Sequence, residues 1–485
     1  MVAFSVAAAQ TPKGTPAAPP PSQYLNNQNG HSSQILQAHE ISPSLQKGLP
    51  ADKQLTKRSK GLPTPQEVLN QRQILEPGAT CPSINWFASK PVKLMPYLDG
   101  AFLFGNTCVE PNALIKEDPL STGAQKLKTA LSDYGLTYML QYGFNFSDVS
   151  GSTLPGTKRS MTSHNGILLA NWDIFRNKKT GSGLFLAVEV DFGEGFGYNE
   201  DEQSIQNSIG SLTSPFGGYK GPKGHLGDLS LAYTCCDGKL LVMGGMIDTT
   251  NYLDHNTYAN TNNNNLVNSA FVNNIALPLT YASLGGLVAW QPNNNFYMML
   301  SSASNYSPVN HNPFKYLHIS DWSTVLEVGF VVDDVCGLGQ GVYRFQPFFV
   351  TTDGQNGGGI AMNFQQALGK NTNLGWFMRA GWADNTAAKV NGVQASATTG
   401  IAWLSPFCGK GAANSGYLGL GLIWAKAPDS GANVNKNEYG VELTYVYQLT
   451  PTMTIQPDIQ IIKDPINGKK NETNVVFQIQ NVWTF

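Results

Sequence analysis

The feature that most constrains this chain is a period-two alternation that runs to its last residue. Between Glu438 and Leu449 every odd position is apolar (Tyr439, Val441, Leu443, Tyr445, Tyr447, Leu449), and the even ones are mostly polar or small. After Thr450-Pro451 the pattern resumes in the same phase, with Met453, Ile455, Ile459 and Ile461 against Thr452, Thr454, Gln456, Asp458 and Gln460. A third run, Val475 to Phe485, ends on an aromatic residue. Successive side chains of a strand point to opposite faces, so each segment is a strand with one apolar face. Each run has about 11 residues, which at about 3.3 Å rise and about 40° tilt crosses the roughly 25 Å apolar band of an outer-membrane barrel. The medium those faces meet is lipid.

The alternation begins at Leu136 and gives sixteen runs, near 136-146, 165-176, 182-193, 226-234, 239-248, 279-290, 294-303, 322-333, 340-351, 358-367, 373-382, 397-404, 416-426, 437-449, 452-462 and 474-485. Their connections alternate. The long ones are 147-164, 194-225, 249-278, 304-321, 383-396, 427-436 and 463-473, and the short ones include 177-181, 235-238, 291-293, 368-372 and 450-451. Tight turns on one side and long loops on the other are the asymmetry of outer-membrane barrels. Loop 352-357 is short for the long-loop side and turn 405-415 long for the other. A soluble β-sandwich matches so many long strands poorly. The fold expected is all-β: a closed antiparallel transmembrane barrel of about sixteen strands over 135-485, integral to the outer membrane and in contact with its lipid.

Composition agrees. Charged residues are 13% of the chain and aromatics 11%, with 50 glycines; a soluble protein carries about 25% charge. No stretch reaches the 18 or more apolar residues of a membrane helix. A net charge of −2 gives no reason to expect nucleic acid.

Ahead of the barrel, residues 1-9 (MVAFSVAAA) resemble the end of a secretory signal peptide, the alternative being an Ala-rich disordered tip. Residues 10-90 are rich in Pro, Gln, Ser and Asn and read as a largely disordered, low-complexity periplasmic arm available for cell-wall contact, with a short helix possible around Pro65 to Leu75. Residues 91-134 form a pre-barrel segment with a helix over Ser121 to Tyr134, stopped by Gly135.

Three stretches resemble a known family. Residues 239-290 hold a strand ending in Gly-x-x-Asp, an acidic Asn-rich loop and a strand with paired glycines. The segment NEYGVELTYVYQLTPTMTIQPDIQIIKDP, with Glu442, Tyr445, Pro451, Gln456, Pro457, Asp458, Gln460 and Pro465, resembles a closing hairpin, and YGLTYMLQYGFNFSDVSG a first strand. Together they are similar to the carbohydrate-selective porin family (OprB type), over roughly Leu127 to Phe485. The resemblance implies a sixteen-stranded porin passing sugars and other small hydrophilic solutes by diffusion, as a monomer or homotrimer, with no cofactor. Some relatives carry an envelope-anchoring domain before the barrel; here that place holds the low-complexity arm.

Strand phase assigns the lumen-facing charges. Asp173, Glu189, Asp191, Asp248, Glu327, Arg344, Arg379, Glu442 and Asp458 point inward, as does Asn171. Opposed acids and bases offer donors and acceptors to neutral polyhydroxyl solutes. Arg344 and Arg379 are the prime candidates for a constriction, since a guanidinium presents a rigid fork of donors; the plainer role is ion pairing with Glu327 or Glu442. The loop after Asp248 carries Asp254, His255, Asn256 and Tyr258 and either folds into the lumen, where Tyr258 or Phe271 stacks on a sugar ring, or lies exposed. Trp172, Trp290, Trp376, Trp382, Trp403, Trp424 and Trp483 sit near strand ends and fit interfacial girdles.

Of six cysteines, Cys235, Cys236, Cys336 and Cys408 fall in turns on the short-turn side, and Cys81 and Cys108 precede the barrel. No metal-binding spacing is present. In an oxidising periplasm, disulfides between the pre-barrel segment and the rim are expected, with free thiols as the alternative. The seven histidines lie in the arm, in loops or at loop edges and G-x-S-x-G is absent, so an outer-membrane hydrolase is disfavoured. A weakly selective porin for inorganic ions is the nearer alternative.

Overall fold

A computed structural model describes residues 113-115, 118-132, 134-177, 182-195, 205-215, 224-236, 238-305, 320-369, 373-404, 406, 416-429 and 433-485. The expected signal remnant, the arm, the helix near Pro65, Cys81, Cys108 and Cys408 lie outside them. Among the described residues sixteen antiparallel strands form one closed barrel in chain order: β1 (Leu136–Ser150), β2 (Ser160–Asn177), β3 (Ser182–Gly195), β4 (His225–Cys235), β5 (Leu240–Ile247), β6 (Ser283–Asn293), β7 (Phe296–Ser304), β8 (Trp322–Val332), β9 (Gly341–Thr352), β10 (Gln355–Ala367), β11 (Leu374–Ala383), β12 (Ala395–Leu404), β13 (Gly416–Lys426), β14 (Asn437–Thr450), β15 (Met453–Lys463) and β16 (Thr473–Thr484). β1 seals against β16 from Gln141 opposite Thr484 to Ser150 opposite Val475. Closure removes every sheet edge, so no strand backbone is left to lipid.

The burial pattern is that of a soluble protein turned inside out. On β14, Tyr439, Val441 and Leu443 are exposed while Glu438, Glu442 and Thr444 are buried; on β16, Phe477 and Ile479 are exposed while Gln478 and Gln480 are buried. Apolar side chains thus cover the outside and polar ones face in. All seven tryptophans named above occupy the outward phase of their strands.

Most strand limits fall within a few residues of those read from the alternation. β6 begins at Ser283 rather than 279, because Leu279 to Ala282 belong to an inward-folded loop. The short connection at 352-357 is a two-residue turn, Asp353-Gly354, with both residues left-handed (φ 50° and 70°), the geometry that suits a tight hairpin.

The pre-barrel helix, α1 (Pro119–Ser132), starts two residues earlier than the apolar pattern indicates. Asp118 explains this: its Oδ1 accepts from Leu120 N at 2.9 Å and Ser121 N at 3.4 Å, with Pro119 at the first helical position. Oδ2 of the same carboxylate accepts from Thr450 Oγ1 (2.7 Å), Thr452 Oγ1 (2.6 Å) and Thr452 N (3.1 Å) in the β14–β15 turn. The helix is thereby tied to the barrel rim, and Gly135, at φ 78°, ends it.

Cys235, Cys236 and Cys336 lie in the β4–β5 and β8–β9 turns as free thiols, with the sulfurs of Cys235 and Cys236 3.3 Å apart.

Candidate functional site

The interior is organised by the segment between β5 and β6, residues 248-282, which leaves the wall at Asp248 and folds into the barrel. Its neck is closed on itself: Thr249 N donates to Thr280 O (2.9 Å) and Thr280 N to Thr249 Oγ1 (2.7 Å). Within it only Thr257 is exposed and only Asn264 and Asn273 are partly so. This plug contacts the wall in three chemically different sectors.

On the β8–β14 side the contact is ionic and apolar. Arg379, on β11, is 1% exposed and gives all its visible bonds to the plug: Nε to Asp254 Oδ2 (2.8 Å), Nη2 to Asp254 O (2.9 Å), and Nη1 to Ala259 O (2.8 Å) and Phe271 O (2.6 Å). Asp254 also accepts from Asn274 N (2.6 Å), Gln346 Nε2 (3.2 Å) and Asn363 Nδ2 (2.8 Å). Beside it Glu327 takes Asp254 N (2.8 Å), Tyr297 OH (2.6 Å) and Gln346 Nε2 (2.7 Å), and Arg344 Nε donates to Tyr297 OH at 2.9 Å, 3.9 Å from Glu327. Next to this network, wall glycines act as sockets. The Tyr258 ring lies against Gly375 and the Phe271 ring against Gly421, where any Cβ would overlap them. Phe377, Ala402, Tyr417, Ile423 and Ala425 complete a dry apolar seat facing inward.

Two other anchors hold the plug. Glu442, on β14, accepts from the backbone N–H groups of Val267 and of Asn268 (2.9 Å). On the opposite wall Asn251 donates to Glu189 and Tyr252 OH to Asp228 (2.8 Å), Asp248 caps the turn at Thr250 (2.8 Å), and Tyr281 OH bridges His225 and Asp191. Asp228 is inward because of a bulge: alternation from Leu226 would put it on the lipid side, but Gly227 is the extra residue opposite β3 and turns it in. Inside the plug His255 is pushed down to about 4 by burial, so it is neutral. Its Nε2–H donates to Asn251 O (2.9 Å), while Nδ1 faces Asn260 Nδ2 at 3.2 Å.

Of the residues singled out from the sequence, Asp254, Glu327, Arg344 and Arg379 therefore converge with Asn256 and Tyr258 on one side of the plug. Glu189 and Asp248 meet on another, and Glu442 and Asp458 on a third. Asp173 is apart, near the short-turn end of β2, its backbone N–H bonded to Gly135 O (2.9 Å). Not singled out were Asp228, hidden by its bulge, and Glu438. The latter holds a second inward stretch, accepting from Ser211 Oγ (2.7 Å), Leu212 N (2.7 Å) and Thr213 N (3.1 Å) just after the short helix α2 (Ile205–Ile209).

The third sector, β15–β16–β1–β2, faces the plug with amides. Gln456 Nε2 donates to Asn265 O, Gln480 Nε2 to Asn262 O (2.7 Å), and Gln141 Oε1 accepts from Asn263 Nδ2 (3.0 Å). Amides at alternate positions of these strands were visible in the sequence; what they face was not.

Residues 339-485 match the model of the family described as carbohydrate-selective porin, OprB family. The high-pH structure of Pseudomonas putida OprB superimposes with a TM-score of 0.57 at 16% identity, covering 74% of this chain and 97% of that one. Its low-pH structure gives 0.48 at 17% identity over 76% and 99%, and the outer-membrane channel DcaP of Acinetobacter baumannii 0.44 at 11% identity over 72% and 98%. No curated protein matches this chain by sequence. The family resemblance carried by the closing hairpin is borne out over residues 339-485, and the superposition on OprB shows a shared barrel fold.

Proposed function

We propose that this outer-membrane porin passes small neutral polyhydroxyl solutes, carbohydrates foremost, by diffusion through its polar interior. The observation that carries the reading is the inward lining. Apart from the dry seat of the plug and the carboxylates gathered on β3–β5, it is built from amides, hydroxyls and two arginine–carboxylate pairs, which suits a solute that exchanges hydrogen bonds with water for equivalent ones in the wall. The matched family is described as carbohydrate-selective, which agrees. Among the residues proposed to shape the passage, Arg344, Arg379, Glu327, Asp254, Asn256, Tyr258 and Glu442 act by fixing the plug, which sets the width left to a solute. Asp458, beside Gln460 at 2.8 Å, lies on the amide side.

A second reading, weakly selective conduction of inorganic cations, is favoured by one observation. Glu189, Asp191, Asp228 and Asp248 gather on one wall with His225 as the basic neighbour. Reconstitution in liposomes and planar bilayers separates the two. Swelling in isosmotic sugars together with concentration-dependent block of KCl current by mono- or disaccharides is the expected result. An ohmic cation current indifferent to every sugar would leave the ion reading in place.

A further inference from the structure

Besides the acidic contact with β3–β5, the plug meets the wall along two seams of opposite chemistry, one dry and one lined by amides. Between plug and β11–β14 the seam is dry, with aromatic rings seated on bare glycine backbone and Arg379 held by four acceptors. Parting it would expose apolar surface and strand a buried charge.

The seam between Asn262–Asn265 and β15–β2 is different. Gln456 on β15 stands directly opposite Gln480 on β16, Gln480 opposite Asn145 on β1, and Asn145 opposite Ser163 on β2. These four side chains form one row around the wall, about 4.8 Å from strand to strand, and each is 0–3% exposed. Each also holds a buried oxygen with no hydrogen-bond partner: Gln456 Oε1, Gln480 Oε1, Asn145 Oδ1 and Ser163 Oγ. Asn263 Oδ1, on the plug across from them, is in the same condition. Buried polar atoms are almost always paired, so a row of four unpaired oxygens with a fifth facing it calls for a donor-rich guest. The row carries no formal charge. Above it, toward the long loops, Ile205 and Ile209 pack on Val149, Met161, Ile462 and Val476 as an apolar cap; below it lie Met139, Ile167 and Leu169.

We infer that the row Gln456–Gln480–Asn145–Ser163, with Asn263 opposite, is the subsite that holds the permeating polyol, its hydroxyls donating to the line of oxygens. The solute thus travels on the β15–β2 side of the plug, away from the two arginines. This rests on the carbohydrate reading above and adds the place and the contacts.

The test uses full-length protein in planar bilayers, with glucose and maltose as probes. Asn145→Leu and Ser163→Ala each remove an acceptor that makes no hydrogen bond to the plug. Because one neutral hydrogen bond is worth a factor of a few in affinity, the double variant should raise the half-blocking sugar concentration about tenfold. Its KCl conductance, read in the same membrane, separates a lost contact from a collapsed pore, and Asn145→Gln, which keeps the amide, should restore part of the block. If wild type is blocked by sugar and the double variant equally so, the row is not the subsite while the carbohydrate reading survives. If no sugar blocks wild type, both go. Block of wild type by alkali or ammonium ions, lost in the double variant, would reassign the row to cations.

Discussion

Arg379 on the barrel wall and Asp254 in the inward-folded segment meet at 2.8 Å, Nε to Oδ2, with neither side chain more than 1% exposed. A pair so placed is a structural clasp between two parts of the chain 125 positions apart. Removing one partner leaves the other charged and buried, which costs more than the pair itself contributes.

Arg379→Leu should therefore weaken the docking of 248-282 by about 3–5 kcal/mol. The expected outcome in planar bilayers is higher KCl conductance with increased current noise, from a barrel that still migrates as folded before heating. Conductance and noise equal to wild type would mean the clasp does not hold the plug.

The Phe271 ring occupies the space a side chain at Gly421 would need. Gly421→Leu should displace the plug and raise conductance. Adding Phe271→Ala, which vacates the socket, should bring conductance back toward wild type. Two changes at residues in contact are not additive, and the sign of their coupling is the measurement.

Asp118 links helix α1 to the β14–β15 turn. Burial pushes its carboxyl up, but hydrogen bonds from Thr452 and Thr450 outweigh that and leave it below its ordinary value. A carboxylate lowered in the folded state stabilises above its unfolded value of 3.8 and loses that effect as pH falls through its lower folded value. The protection of amides in 119-132, taken against the intrinsic exchange rate at each pH, should be high at neutral pH and fall below about pH 4. Asp118→Ala should show the low protection at every pH.

Leu443, 47% exposed and mid-strand on the lipid side, lies next to Thr444, which is fully buried inside. Leu443→Arg should destabilise the barrel in phospholipid vesicles by about 2–4 kcal/mol, as a cation at bilayer depth does. The readout is reversible denaturant unfolding. A cost near zero would put Leu443 out of contact with acyl chains.

The sequence by itself determined the barrel. Period two is a local property: it fixes which side of each strand meets lipid and, through the lengths of the connections, which rim carries the long loops. That is why the strands and the outward tryptophans could be placed from residues alone. Tertiary structure decided everything inside. Arg344 and Arg379 could be assigned to the inner face by phase, but that Arg379 clasps Asp254 depends on how residues 248-282 fold back across the lumen, and no periodicity encodes a path through space. Asp228 shows the limit within a strand, since one extra residue at Gly227 reverses its face. The side chains of Gln456 and Gln480 lie far along the chain from those of Asn145 and Ser163, and the four become a row only when β1 closes on β16. Closure is a global event, set by the register of the whole sheet.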